Sequence, residues 1–281
     1  MSAIRKEVVI GDCRLLLGDC LDILPTLGKV DAVVTSPPYA QQRDYGQKIG
    51  NWRALVSTAM QRTPAHETTQ VLVNLGLVHR DGEVVPYWQD LIDDMRLAGW
   101  RHFGWYVWDQ GSGMAGDFQG RLAPSHEFVF HLNREDRRPN KTKPTLGGRH
   151  SGNTRGKDGT SKAKSHDGRP IQPVKIPDSV VRCPRETEPG PNAAHPARYP
   201  VRFASELVEP YSAIGESILD PFMGSGTTGV ACVKLGRSFV GIEVTDHYFD
   251  IACERIAKAY AQPDLFVEQG KQSAPVQEAM F

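Results

Sequence analysis

Apolar positions along the chain recur in two rhythms, one with period two and one with helical spacing. Residues 8–17 and 32–35 read as strands, and residues 21–27 between them as a short helix. Residues 71–75 form another short apolar run. Trp88, Leu91, Ile92 and Met95 repeat at helical spacing until Gly99 stops the helix. Strands follow at 102–108 and 127–132, separated by a glycine-rich loop over 111–120. After a long break the pattern resumes with a helix at 203–214, a strand at 217–220, a helix at 225–235 and a strand at 238–243. A last helix, 247–260, carries Phe249, Ala252, Ile256 and Ala259 on one side. Strands alternating with helices make an α/β fold with a mostly parallel, doubly wound sheet the economical architecture.

Residues 133–190 break the rhythm. They are rich in Gly, Pro, Lys, Arg, Ser and Thr and sustain neither period. A structureless loop of that length is unusual inside a compact domain, so the segment reads as an inserted module that orders on binding. The chain therefore divides into residues 1–132, the insert 133–190, residues 191–260 and a polar tail over 261–281.

Composition adds limits. With 281 residues and 40% apolar content the chain can bury a full core. No apolar run approaches the ~18 residues of a membrane span. Arg5, Lys6 and Glu7 stand where a secretion signal would be apolar, so a cytoplasmic protein is expected. Cys13, Cys20, Cys183, Cys232 and Cys253 form no CxxC pair, which suggests neither a disulfide framework nor a metal site. Net charge is zero, yet between positions 134 and 175 twelve Lys or Arg face four acids, leaving +8 there and −8 elsewhere. Such segregation fits a polyanion-binding segment on an acidic body; a solvated charge run has the same composition.

The sharpest chemical signal is Ser36-Pro37-Pro38-Tyr39, directly after the apolar strand 32–35. Two prolines end the strand and stiffen the turn. The Ser36 hydroxyl and Pro37 carbonyl suit both hydrogens of an exocyclic amine, while the Tyr39 ring suits stacking on the base that carries it. A plain proline-stiffened loop fits the four residues alone equally well.

A second signal lies far downstream. Asp220-Pro221-Phe222-Met223-Gly224-Ser225-Gly226-Thr227-Thr228 joins a strand to a helix start. Gly224 and Gly226 permit positive φ and close approach of a ligand, and the helix start near Thr227 offers unpaired N–H groups. The next strand ends at Glu243, where an acid suits a pair of ribose hydroxyls. The spacing matches neither GxGxxG nor the phosphate-binding lysine loop, which disfavours NAD and ATP. Alone, the loop reads as a structural turn.

Together and in this order, the two motifs resemble those of DNA amino-methyltransferases that use S-adenosylmethionine, in the group whose catalytic motif precedes the cofactor motif. The resemblance spans nearly everything outside the insert and tail. It implies a Rossmann-like methyltransferase fold in which residues 1–132 carry the catalytic half and 191–260 the cofactor half. Ser36, Pro37, Pro38 and Tyr39 would hold the flipped base. Asp220, Pro221, Phe222, Gly224, Ser225, Gly226 and Thr227 would form the cofactor loop, with Glu243 on the ribose and Asp19 near the adenine. His195 and Arg198 match the segment that closes over the methionine part. The amine nitrogen would attack the sulfonium methyl in line, without an enzyme nucleophile or a metal. Cys13 and Cys20 lack the proline-cysteine context of cytosine-C5 chemistry. Serine at the first motif position leans toward cytosine N4 over adenine N6.

The insert occupies the place of this family's target-recognition region, making Arg137, Arg138, Lys141, Lys143, Arg149, Arg155 and Lys157 the candidate contacts to double-stranded DNA. Relatives are often homodimers and serve restriction-modification systems or act alone. In the tail, Gln262, Pro263, Asp264, Leu265 and Phe266 resemble the peptide that docks into bacterial sliding clamps. RNA methylation, in relatives whose cofactor loop comes first, and a catalytically silent DNA-binding module are the competing readings.

Overall fold

The computed structural model describes residues 3–38, 51–113, 116, 118, 120–149, 153–155, 157, 160–163, 168–185 and 199–262. Its elements run β1 (Ile4–Ile10), β2 (Cys13–Gly18), α1 (Cys20–Ile23), β3 (Val30–Thr35), α2 (Trp52–Gln61), β4 (Ala65–Leu75), β5 (Val78–Arg80), β6 (Glu83–Val85), α3 (Trp88–Leu97), β7 (Arg101–Asp109) and β8 (His126–Asn133). The second half continues with β9 (Lys143–Pro144), β10 (Asn153–Arg155), β11 (Ser161–Ala163), β12 (Val174–Lys175), β13 (Val180–Arg182), α4 (Val201–Val208), β14 (Ser217–Asp220), α5 (Thr227–Leu235), β15 (Ser238–Glu243) and α6 (Asp246–Ala261).

Nine strands form the central sheet in the order β1-β2-β15-β14-β3-β4-β8-β7-β13. The five from β2 to β4 are mutually parallel, whereas β1 and β8 run against their neighbours. Strands such as β3 and β14 are apolar and nearly wholly buried, as befits strands covered on both faces. One face carries α1, α2 and α3 through Ile23, Val56, Met60, Leu91 and Met95. The other carries α4, α5 and α6 through Phe203, Val208, Val230, Phe249 and Ile256.

From β14 the chain passes through α5 to β15 on one side, and from β3 through α2 to β4 on the other. The winding reverses between β14 and β3, which pair as Ile218↔Ala32 and Leu219↔Val33. In open α/β sheets ligands bind at the carboxyl ends of strands beside such a reversal. The strands ending at Gly18, Glu243, Asp220 and Thr35 therefore share one functional rim.

Several elements depart from expectation. The strand anticipated over 8–17 is two antiparallel strands, because Gly11 takes a left-handed φ of 53° and turns the chain. The helix anticipated over 203–214 begins at Val201 and gives way to a 3-10 turn, Glu209–Tyr211, around Pro210. Within the anticipated insert, β9 pairs with β12 and β10 with β11. β13, in the same segment, is the edge strand of the central sheet, parallel to β7 through Val180↔Val107. No described helix is long and apolar enough to cross a membrane.

Candidate active site

β3 delivers Ser36, Pro37 and Pro38 to the rim, half-buried, buried and half-buried in turn. The turn is braced from α2. The Trp52 indole N–H donates to the Pro38 carbonyl at 2.5 Å. Trp52 in turn meets Tyr87 edge to face, with centroids 4.8 Å apart, and the Tyr87 hydroxyl donates to the Gly76 carbonyl at 2.8 Å. Asn51 starts α2 by accepting from the Ala54 N–H at 3.0 Å, so the helix that supplies the brace is itself capped.

One strand away, Asp220 is only 2% exposed. Its Oδ1 accepts from Thr35 Oγ1 at 2.7 Å and from the Phe222 N–H at 3.1 Å, and its Oδ2 accepts from Thr228 Oγ1 at 2.7 Å. Tyr199 shares a hydrogen bond with the same Thr228 hydroxyl. Burial pushes the Asp220 carboxyl up to about 6, against the opposing pull of its two hydroxyl donors. Asp220 thus fastens β14 to β3 and to the first turn of α5.

The loop beyond it turns through Gly224 and Gly226, with φ of 53° and 78°. A Cβ on Gly226 would lie 2.9 Å from the Ala252 side chain, so this residue has neither the dihedral nor the room for another. Gly226 caps α5 without a side-chain acceptor, leaving the helix N–H groups directed at the rim. Arg255 from α6 holds the loop from behind, donating to the Ser225 carbonyl and, at 3.1 Å, to Thr227 Oγ1. Glu243 closes the other side: Oε2 accepts from the Gly224 N–H and Oε1 from the Thr245 N–H, both at 2.9 Å. Its carboxyl is raised by burial, against those backbone donors. Asp19, exposed at the end of β2, accepts from the Leu21 N–H at 2.8 Å and caps α1.

The rim therefore gathers Ser36, Pro37, Pro38, Asp19, Glu243 and residues 220–227. Tyr39, His195, Arg198 and residues 263–266 lie outside the described residues. The cationic candidates separate into two sets. Arg137 pairs with Glu216 at 2.6 Å, and Lys143 pairs with Glu206, so both are tied to the body of the protein. Arg138, Lys141, Arg149 and Lys157 are exposed, Arg149 with one donor on the Gly168 carbonyl at 2.7 Å. Arg155 lies in β10. Burial pushes the Cys13 and Cys20 thiols up to about 12, which keeps them protonated and poor nucleophiles. Thr35, Trp52, Thr228, Tyr199 and Arg255 were not named as site residues from the sequence; Thr35 directly precedes the Ser36 turn, Thr228 closes the glycine-loop motif, Tyr199 follows Arg198 in the segment matched to the family, and Trp52 and Arg255 carry no motif signal.

A family model described as DNA methylase, of the N6/N4 type, matches residues 30–254. The type II methyltransferase M.Cfr9I of Citrobacter freundii is 28% identical over 89% of this chain and 90% of that protein. The type II methyltransferase M.SmaI of Serratia marcescens is 27% identical over 90% and 93%. Among solved structures, the cytosine-N4-specific PvuII DNA methyltransferase covers 92% of this chain and 95% of its own at a TM-score of 0.65 and 16% identity. The M1.HpyAVI complex with S-adenosylmethionine covers 86% and 99% at a TM-score of 0.59 and 19% identity.

Proposed function

Because the chain belongs to the N6/N4 family of DNA methylases, and so is an S-adenosylmethionine-dependent DNA methyltransferase, we propose that it methylates cytosine N4 in preference to adenine N6. The observation that carries amino-group methylation is the adjacency of the Ser36-Pro37-Pro38 turn and the Asp220 glycine loop on neighbouring parallel strands. That adjacency sets an amine-holding turn beside a nucleoside-binding loop.

The residues at the rim fit the cofactor. Glu243 keeps acceptor capacity beyond its two backbone donors and would take the ribose hydroxyls, Asp19 would contact the adenine, and the left-handed glycines leave room for a ligand against the backbone. When bound, the cofactor supplies an electrophilic methyl group. The chain's own part is to present the nucleophile. An exocyclic amine is weakly nucleophilic while its lone pair is delocalised into the ring; acceptors fixed on both N–H groups favour a pyramidal nitrogen. Ser36 Oγ and the Pro37 carbonyl are those acceptors, and Tyr39 stacks on the base. With the Pro38 carbonyl engaged by Trp52, the turn keeps one conformation as the base enters. Alignment in a dry site is worth up to about 7–11 kcal/mol of the barrier.

Serine at position 36 favours cytosine, in keeping with the cytosine-N4-specific name of the PvuII enzyme. Duplex DNA is the substrate, the exposed cations Arg138, Lys141, Arg149 and Lys157 contact its phosphates, and a type II restriction-modification role follows the names of M.Cfr9I and M.SmaI. Incubation with labelled S-adenosylmethionine and duplex DNA, RNA or neither, followed by nucleoside analysis, tests the reading. N4-methylcytosine is the expected product. N6-methyladenine overturns the base assignment, and transfer to RNA alone overturns the substrate.

A further inference from the structure

The rim continues past the catalytic turn into a polar pair with no part in the chemistry so far. β4 lies beside β3, with Thr35↔Val73 the last register pair, so Asn74 is the neighbour of Ser36 one strand over. Val34 and Leu72 both face the α4–α6 side of the sheet. Alternation within β4 turns Asn74 to that side, and the register of β3 and β4 continued one residue past Thr35 sets Ser36 beside it, about 5 Å away by the spacing of paired strands. On the far side of β4, Glu127 in β8 lies opposite Trp108, which faces the same way. Asn74 is 1% exposed, and its Nδ2 donates to Glu127 Oε2 at 2.7 Å.

That bond orients the amide. An ionised carboxylate only accepts, so the Asn74 nitrogen must face β8 and its oxygen faces back toward β3 and Ser36. A serine hydroxyl offers its lone pairs to an amine only if its own proton is directed elsewhere. We propose that Asn74 and Glu127 are positioning residues for methyl transfer: Glu127 fixes the Asn74 amide, and Asn74 Oδ1 takes the Ser36 hydroxyl proton when the base is engaged. Ser36 Oγ is thereby aimed, as an acceptor, at the target amine. No proton moves along this chain; each hydrogen bond polarises the next, and the carboxylate anchors its end. The inference rests on Ser36 as the amine acceptor.

Glu127→Gln tests it, because a glutamine amide lets Asn74 turn over and present Nδ2 to Ser36, occupying the lone pair meant for the substrate. The expected result is a kcat lowered about tenfold to a hundredfold, with affinity for S-adenosylmethionine held within about twofold. In a Ser36→Ala background the same change costs nothing further. The pair Asn74→Asp with Glu127→Gln reverses the polarity of the contact while keeping an acceptor beside Ser36, and recovers most of the kcat that Asn74→Asp alone loses. The proposal is overturned by a Glu127→Gln kcat close to wild type, by equal losses with and without the Ser36→Ala change, or by no recovery in the double variant. Should Glu127→Gln fail to bind cofactor, and so to fold, the comparison of Asn74→Asp with the double variant decides alone. A wild-type protein that transfers no methyl to DNA refutes the parent reading instead.

Discussion

Thr35 donates a hydroxyl hydrogen bond to Asp220 at 2.7 Å, fastening the strand that ends in the Ser36-Pro37-Pro38 turn to the strand that ends in the glycine loop. The partners are separated by 185 positions, and neither is exposed by more than 2%. A misplacement of about 1 Å between reacting groups can cost about a hundredfold in rate, so under the proposed function a direct tie between these two strands serves catalysis as well as stability.

Thr35→Val keeps the β-branch and the volume but removes the donor. Among the described residues Asp220 then retains Thr228 and the Phe222 N–H, and a buried carboxylate short of one partner costs about 1–3 kcal/mol. The urea midpoint should fall accordingly, and affinity for S-adenosylmethionine should weaken with it. Unchanged values of both would show the bond to be incidental.

Two buried groups titrate with opposite sign in one pH window. Burial raises Asp220 to about 6, so the folded protein holds a proton there that the unfolded chain releases near the ordinary carboxylate value; this stability is lost as pH rises from about 4 to 6. Burial depresses His131 to about 4, with Tyr106 donating to its Nδ1 and its Nε2 donating to Gln70, both at 2.8 Å. Its contribution is present above the ordinary histidine value and lost as pH falls toward 4. Each amounts to about 3 kcal/mol, and they largely offset one another. Relative to wild type, Asp220→Asn should gain about 3 kcal/mol between pH 4 and 7, and His131→Gln should lose a similar amount over that range. Urea melts across the range check both slopes; parallel curves for all three proteins would contradict the burial argument.

The backbone of the glycine loop was legible because its residues are contiguous: Gly224 and Gly226 take the positive φ that their sequence context announces, and Glu243 ends the next strand as expected. The end of β3 at the Ser36-Pro37-Pro38 turn was legible for the same reason. Contacts that join distant segments were not. Thr35 reads as a strand residue, and its tie to Asp220 exists only through the pairing of β3 with β14. α2 was not anticipated, although Trp52, Val56, Ala59 and Met60 have helical spacing, and nothing in that spacing announces that the first of these holds the Pro38 carbonyl. β13 escaped because three residues with little periodicity gain their order from the β7 edge.

Trp52→Phe isolates the brace. The ring contact with Tyr87 survives, but the half-buried Pro38 carbonyl loses its donor and the turn gains freedom. A kcat reduced about tenfold, with cofactor affinity unchanged, is expected from a misplaced acceptor pair. Steady-state kinetics beside cofactor titration separates this from a general loss of fold, which would weaken both.

The basic segment divides by partner, and salt dependence reads the division. Arg137 is tied to Glu216 with both side chains largely covered, and Lys143 to Glu206, so these cations already neutralise the protein's own charge. Replacing Arg137 by Ala should lower stability by about 1 kcal/mol and leave the salt slope of DNA binding unaltered. Arg138 and Arg149 are exposed on the same segment, and each that meets a phosphate adds about 0.9 to the log–log slope. Arg138→Ala or Arg149→Ala should therefore flatten the slope by nearly one while sparing the thermal midpoint. If Arg137→Ala and Arg138→Ala flatten it equally, the ion pair opens on DNA and the charge at position 137 belongs to the interface; if neither does, the phosphate contacts lie on other elements.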